Sequence, residues 1–156
     1  RGLGDVYKRQ GLAGVVLSNH GGRQLDFARS GVEVLEEVMR ELRKRGSFPN
    51  PAFQVMVDGG FRRGTDILKA LAMGATAVGI GRPFLYAYSA YGVDGVIHAI
   101  NLLRDELEMN MRLIGARSIE ELVPSMVDLS ALHNHTGAVF PKQDQSVLDF
   151  MEKSRL

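Results

Sequence analysis

Within Ser18-Asn19-His20-Gly21-Gly22-Arg23-Gln24-Leu25-Asp26 a proton carrier and an anion grip stand close together. His20 can move a proton near neutral pH. The Arg23 guanidinium can hold a carboxylate through two parallel hydrogen bonds. Gly21 and Gly22 permit a sharp turn, or the close approach of a ligand to the backbone. The run follows directly on the apolar stretch Gly14-Val15-Val16-Leu17, which reads as a fully buried strand, so the polar residues stand at a strand end. A strand-end turn with a solvated arginine and an incidental histidine is the plainer reading. These residues alone leave both readings open.

A second polar run, Asp58-Gly59-Gly60-Phe61-Arg62-Arg63-Gly64-Thr65-Asp66, lies between a strand and a helix. Glycines there expose backbone N–H groups, and a helix start adds partial positive charge, which together suit an anion. Arg62 or Arg63 would supply the charge a phosphate needs. Further along, Gly81-Arg82-Pro83 repeats the arrangement at the next strand end. Two adjacent Gly/Arg loops suit a phosphate held between the last two strands of a (β/α)8 barrel. Taken singly, each loop could be a plain turn whose arginines pair with surface acids. A Rossmann reading is weaker, because no G-x-G-x-x-G follows a strand.

The elements that must position these residues can be read from periodicity. Apolar residues at 32, 34, 35, 38, 39 and 42 predict a helix over Val32–Arg45, with Glu36, Glu37, Arg40, Arg43 and Lys44 on its outer face. Gly46 to Pro51 is a loop carrying two prolines. Phe53–Val57 is a strand, Thr65–Met73 a helix closed by Gly74, and Ala75–Ile80 a third strand. From Gly92 to near Gly115, Val96, Ile97, Ile100, Leu103, Leu107, Met111 and Ile114 mark one long amphipathic helix. Ser118-Ile119-Glu120-Glu121 fits a capping box opening a short final helix. Strands alternating with helices make this an α/β chain of parallel βα units, in which ligands bind at the C-terminal strand ends.

Bulk composition narrows the function. The chain has 156 residues, 45% hydrophobic and 24% charged, with a formal net charge of +1. Near-zero charge gives no reason to expect nucleic acid or an anionic membrane as partner. The absence of cysteine excludes a disulfide scaffold, a thiolate nucleophile and a thiolate metal site. No apolar run approaches the ~20 residues of a membrane span, and no signal-peptide pattern is visible.

With the three strand ends in order, the chain resembles the C-terminal part of the FMN-dependent 2-hydroxy-acid dehydrogenases and oxidases, the family of glycolate oxidase and cytochrome-linked L-lactate dehydrogenase. The matching blocks are GVVLSNHGGRQLD, VMVDGGFRRGTDILKALAMGA, VGIGRPFLY and LLRDELEMNMRLIGARSIEEL, and the resemblance runs from Gly14 to Thr136. From Asp26 onwards it looks most similar to the fungal lactate dehydrogenase branch. The resemblance implies a (β/α)8 TIM barrel, of which these are the last three strands plus C-terminal helices, with FMN at the mouth. It places His20 at the catalytic base and Arg23 at the substrate carboxylate. Ser18 matches a flavin contact. Asp58, Gly59, Gly60, Phe61 and Arg62 match the run around the FMN phosphate and ribityl chain, and Gly81 and Arg82 the second phosphate loop. The implied activity is oxidation of an L-2-hydroxy acid, L-lactate first and glycolate second, to the 2-oxo acid. Oxygen or a haem domain or cytochrome would take the electrons, and the family implies a tetramer.

The departures bound that expectation. A barrel of this type needs about 250 residues. The family's flavin-contacting Lys, its active-site Tyr residues and the Asp that orients the His all lie upstream, and Asp26 matches a different position. This stretch alone is therefore expected neither to close a barrel nor to turn over; the function belongs to the full-length parent. Residues 1–10 read as a non-native or disordered leader, residues 11–139 as the barrel part, and residues 140–156 as a flexible tail. Ser154-Arg155-Leu156 is a variant of the Ser-Lys-Leu peroxisomal address, with the mitochondrial intermembrane space as the alternative. His98 reads as a surface or packing histidine. His133 and His135 have no neighbouring carboxylate or cysteine to make a metal site. Met109 and Met111 are expected to pack against other helices, and Tyr86, Tyr88 and Tyr91 to line a subunit interface or the core. Two other readings stay open: another enzyme on an FMN- or phosphate-binding barrel, which leaves His20-Gly21-Gly22-Arg23 unexplained, and a non-catalytic fragment folded only with partners.

Overall fold

The computed structural model describes residues 11–132. The leader, His133, His135 and the C-terminal tripeptide lie outside the described residues. Three strands form a parallel sheet in the order β1 (Gly14–Leu17), β2 (Gln54–Asp58) and β3 (Ala77–Gly79). Leu17 lies opposite Val57, and Asp58 opposite Gly79, so the polar ends of neighbouring strands arrive at one edge. Helices α1 (Gly31–Lys44) and α2 (Gly64–Met73) fill the crossovers, as parallel pairing requires.

Helix α1 starts at a capping box. Ser30 Oγ accepts from Glu33 N at 3.3 Å, and the Glu33 carboxylate accepts from Ser30 N at 2.8 Å. Its apolar stripe puts Leu35 and Met39 against Val55 and Val57 of β2 and Met73 and Ala70 of α2, forming the main core. Arg43 leaves this helix to donate to the Met73 carbonyl at 2.5 Å, which satisfies an orphan carbonyl at the end of α2. Burial lowers the Arg43 guanidinium below its ordinary value, against a smaller opposing pull from Glu36. Gly74 takes the left-handed turn that closes α2, with φ 113°.

Only one sheet face is covered. Val55 and Val57 point at the helices, while the alternate residue Val16 is 58% exposed. The expectation of a fully buried β1 is thus corrected: within the described residues the apolar second face meets solvent. Parallel sheets are normally covered on both faces, and an open inner face is what a partial barrel wall presents.

The largest departure lies after β3. Helix α3 (Arg82–Ile114) begins ten residues before the expected Gly92, with Pro83 in its first turn. Gly92 is instead a break inside it, at φ 61° and ψ −145°. The early arm, Pro83-Phe84-Leu85-Tyr86-Ala87-Tyr88-Ser89-Ala90-Tyr91, has no charged face to set off an apolar stripe, and Tyr86, Tyr88 and Tyr91 are exposed. In the later arm Leu107 and Met111 pack against α2, but Ile97, Ile100 and Met109 are exposed, so only part of the expected apolar stripe is buried. His98 is exposed. The expected capping box at Ser118 does not form: Ile119–Glu121 is a single 3-10 turn, with no cap from Ser118. Glu121 accepts instead from the Arg117 backbone at 2.9 Å and from its guanidinium. No helix among the described residues is long and apolar enough to cross a membrane.

Candidate active site

The three strand ends and the first turn of α3 enclose a cleft of about 890 Å³. Its lining includes Ser18, His20, Arg23, Asp58, Gly59, Gly60, Phe61, Arg62, Gly81 and Arg82, the residues that the resemblance assigns to the site, whereas Gly22 and Arg63 do not line it. Leu85 and Tyr86 add an apolar flank from α3.

At the end of β1 the backbone bends through His20, Gly21 and Gly22 at φ 56°, 62° and 75°. The glycines take this left-handed turn freely, whereas His20 carries the strain of a side chain there. Asn19 holds the turn. Its Oδ1 accepts from Gly22 N at 3.1 Å, and its Nδ2 donates to the Arg29 carbonyl at 3.3 Å. Ser18 Oγ accepts from His20 N at 3.0 Å. Gln24 Nε2 sits 2.9 Å from His20 Nδ1 and, as an N–H group, donates to it, which places a neutral ring's proton on the ring Nε2. Neither Asn19 nor Gln24 stood out in the sequence. The signal for Gln24 was only its spacing of four from His20 across a turn.

Opposite, Asp58 ends β2 with its Oδ1 buried and, among the described residues, without a hydrogen-bond partner. Gly59 and Gly60 follow at φ 91° and 87°. Phe61, 3% exposed, turns into the core and anchors the loop. Helix α2's first residues do not offer their N–H groups to the cleft as expected. Asp66 Oδ2 accepts from both Arg62 N and Arg63 N at 3.0 Å, and Glu106 Oε2 on α3 accepts from Gly64 N at 2.7 Å. Local carboxylates therefore already satisfy this helix start.

Arg62 and Arg63, alike in residue type but separated by the resemblance in favour of Arg62, occupy different places. Arg63 pairs with Glu106, its Nε donating to Oε1 at 2.8 Å and its Nη2 to the same oxygen. That hydrogen bond, followed by the Gly64 N–H, holds the Glu106 carboxyl below the usual carboxylate range, and raises Arg63 in turn. Arg62 is the one that lines the cleft. Arg82, read as part of a loop, is the first residue of α3; Pro83 and the following turn make it helical. Its Nη2 donates to the Gly21 carbonyl at 2.6 Å, tying the β3 end to the His20 turn.

Chemically, the cleft offers one titratable imidazole, three arginines from three strand ends, an unpartnered carboxylate oxygen and an apolar flank. That set suits an anionic ligand with hydroxyl groups beside a second, smaller acid.

Known proteins resemble this chain in sequence and in fold. Residues 6–129 match the family described as FMN-dependent dehydrogenase. The L-lactate dehydrogenase (cytochrome) of Wickerhamomyces anomalus is 61% identical over 124 residues, covering 80% of this chain and 21% of the relative. Glycolate oxidase 2 of Oryza sativa subsp. indica is 49% identical over 112 residues, covering 72% of this chain and 28% of the relative. A flavocytochrome b2 double mutant solved with pyruvate superposes with a TM-score of 0.80 at 52% identity, covering 94% of this chain and 36% of that one. The chain thus spans about a fifth to a quarter of these curated relatives' length.

Proposed function

The chain belongs to the FMN-dependent dehydrogenase family, and from that membership we propose that its cleft is the C-terminal half of a site that oxidises an L-2-hydroxy acid, L-lactate first and glycolate second, to the 2-oxo acid. The observation that carries this reading is the convergence of His20, Arg23, Arg62 and Arg82 on one cleft.

The residues fit FMN. The buried, unpartnered Asp58 Oδ1 asks for a donor of the kind a ribityl hydroxyl supplies. Arg62, the Gly59-Gly60 turn, Gly81 and Arg82 would hold the phosphate, with Ser18 toward the ring system. Arg82 uses one N–H on Gly21 and has others to give. The chemistry the flavin supplies when bound is acceptance of two electrons from the substrate.

Arg23 holds the acid by its carboxylate and so fixes which way the α-carbon faces. His20 takes the substrate proton at Nε2. For that, the ring Nε2 must be unprotonated. With Gln24 Nε2 donating to Nδ1, the proton sits on the ring Nε2, so base action requires the Gln24 amide to reverse and accept from Nδ1–H. The relative named for cytochrome supports a haem partner as electron acceptor, with oxygen the alternative. A homotetramer would cover exposed Tyr88 and Tyr91, and its test is the mass in sedimentation.

The protein expressed from its complete gene should convert L-lactate, but not D-lactate, to pyruvate with its flavin bound. Flavin binding without turnover of any 2-hydroxy acid would favour another FMN-barrel chemistry. The Ser154-Arg155-Leu156 ending supports a peroxisomal address over the mitochondrial intermembrane space. Residues 140–156 fused to a fluorescent protein should give punctate signal lost on mutating Leu156; diffuse signal from the unmutated fusion overturns it.

A further inference from the structure

We propose that Glu106 is a positioning residue for the flavin phosphate: it holds Arg63 away from the cleft and pins the start of α2, so that the loop from Gly59 presents Arg62 alone. The inference rests on the FMN reading above.

The residues involved are far apart in sequence and joined by bonds of one kind. Both Glu106 oxygens are engaged, Oε1 by the Arg63 guanidinium and Oε2 by Gly64 N. The contact is close at the level of the backbone. A Cβ added at Gly64 would lie 2.5 Å from Leu107 N and 2.8 Å from the Glu106 carbonyl carbon. Helix α3 therefore rests directly on the first residue of α2, and a glycine is what allows it. Asp66 completes the clamp from within α2 by accepting from Arg62 N and Arg63 N.

Charge explains why such a clamp matters. Two adjacent arginines beside a helix N-terminus would both be drawn to a dianionic phosphate, and the loop could present either. An ionised Glu106 removes that ambiguity, because it neutralises Arg63 and takes a helix N–H in the same grip. Arg62 has no such carboxylate on its side chain among the described interactions, and it lines the cleft. Losing Glu106 would leave Arg63 to compete for the phosphate and the loop to shift. The flavin ring, held from the β1 end, would be affected far less.

The test compares FMN with riboflavin, which differs only in lacking the phosphate. Flavin-free protein from the complete gene is titrated with each, following quenching of flavin fluorescence. In E106Q the FMN Kd should rise by about tenfold, the order expected for losing one well-placed charge-assisted contact, while the riboflavin Kd stays within about twofold. Should E106Q fail to fold, E106D keeps the charge but shortens its reach to Arg63 and Gly64 N, and should show the same selective loss. Equal weakening of both flavins would assign Glu106 to general stability and overturn the inference, as would no change in either. A wild-type protein that binds both flavins alike, or neither, would overturn the FMN-site reading itself.

Discussion

At the end of β1 the chain turns through three left-handed residues, His20 among them, and the turn is held by the short-range bonds of Ser18 and Asn19. At the end of β2 the chain turns through two glycines and is then clamped by carboxylates from two helices, over an aromatic anchor in the core. In the proposed reading, the first loop offers exposed side chains that act, and the second offers backbone and one arginine that hold. The difference follows from what each must do. A phosphate anchor works best when rigid. A base and a carboxylate grip meet substrate from a strained, exposed turn whose surroundings the described residues complete only from one side. Arg82 joins the two, because its bond to the Gly21 carbonyl lets the holding side steady the acting side.

If this division is right, substitutions in the two loops should separate activity from cofactor retention. The largest effect is expected for His20→Gln, which should lower kcat by about 10²- to 10⁴-fold, the usual share of a general base, with FMN retained at wild-type stoichiometry in absorbance spectra. Arg23→Lys should come next, lowering kcat/KM for L-lactate by roughly 10²-fold because a point charge replaces the two-pronged grip. Flavin loss in either variant would break the comparison.

On the holding side, Gly64→Ala drives a methyl into the α3 backbone and should destabilise the fold by about 1–3 kcal/mol, read as a lower denaturation midpoint. The smallest effect is the pH dependence of the Glu106 clamp. Its carboxyl is depressed in the folded protein, so its contribution is present above the unfolded carboxylate value and fades as pH falls through the folded value. The difference in thermal midpoint between wild type and Glu106→Gln should therefore be greatest near neutrality and close toward acid. A difference that grew in acid would contradict the assignment.

Much of this was legible before any coordinates. Strand β1 and helix α1 are marked by their apolar patterns and helix α2 by a glycine stop at its end, and those signals are local. The site was legible as three Gly/Arg strand ends because parallel βα topology brings strand ends to one edge. The resemblance pointed to Arg62 rather than Arg63, but what holds Arg63 aside was not legible, since Glu106 lies far along the chain and meets Arg63 only through the packing of α3 on α2. The early arm of α3 was hidden for another reason. It has no charged face to set off an apolar stripe, so nothing announces a helix, and Gly92 reads as a start rather than a break. Asn19 and Gln24 sat inside the recognised motif, but their part is to brace the turn, which only geometry reveals.

The central claim, that the cleft pairs a base on the β1 end with a flavin held by the β2 and β3 ends, meets its most direct test in one anaerobic experiment. L-lactate is mixed with the flavin-loaded protein from the complete gene, and the flavin band is followed in wild type and in His20→Gln. The account predicts rapid bleaching in the wild type and a band of the same initial height that persists in the variant. Bleaching at the wild-type rate in His20→Gln, or a wild-type flavin that no 2-hydroxy acid bleaches, would contradict it.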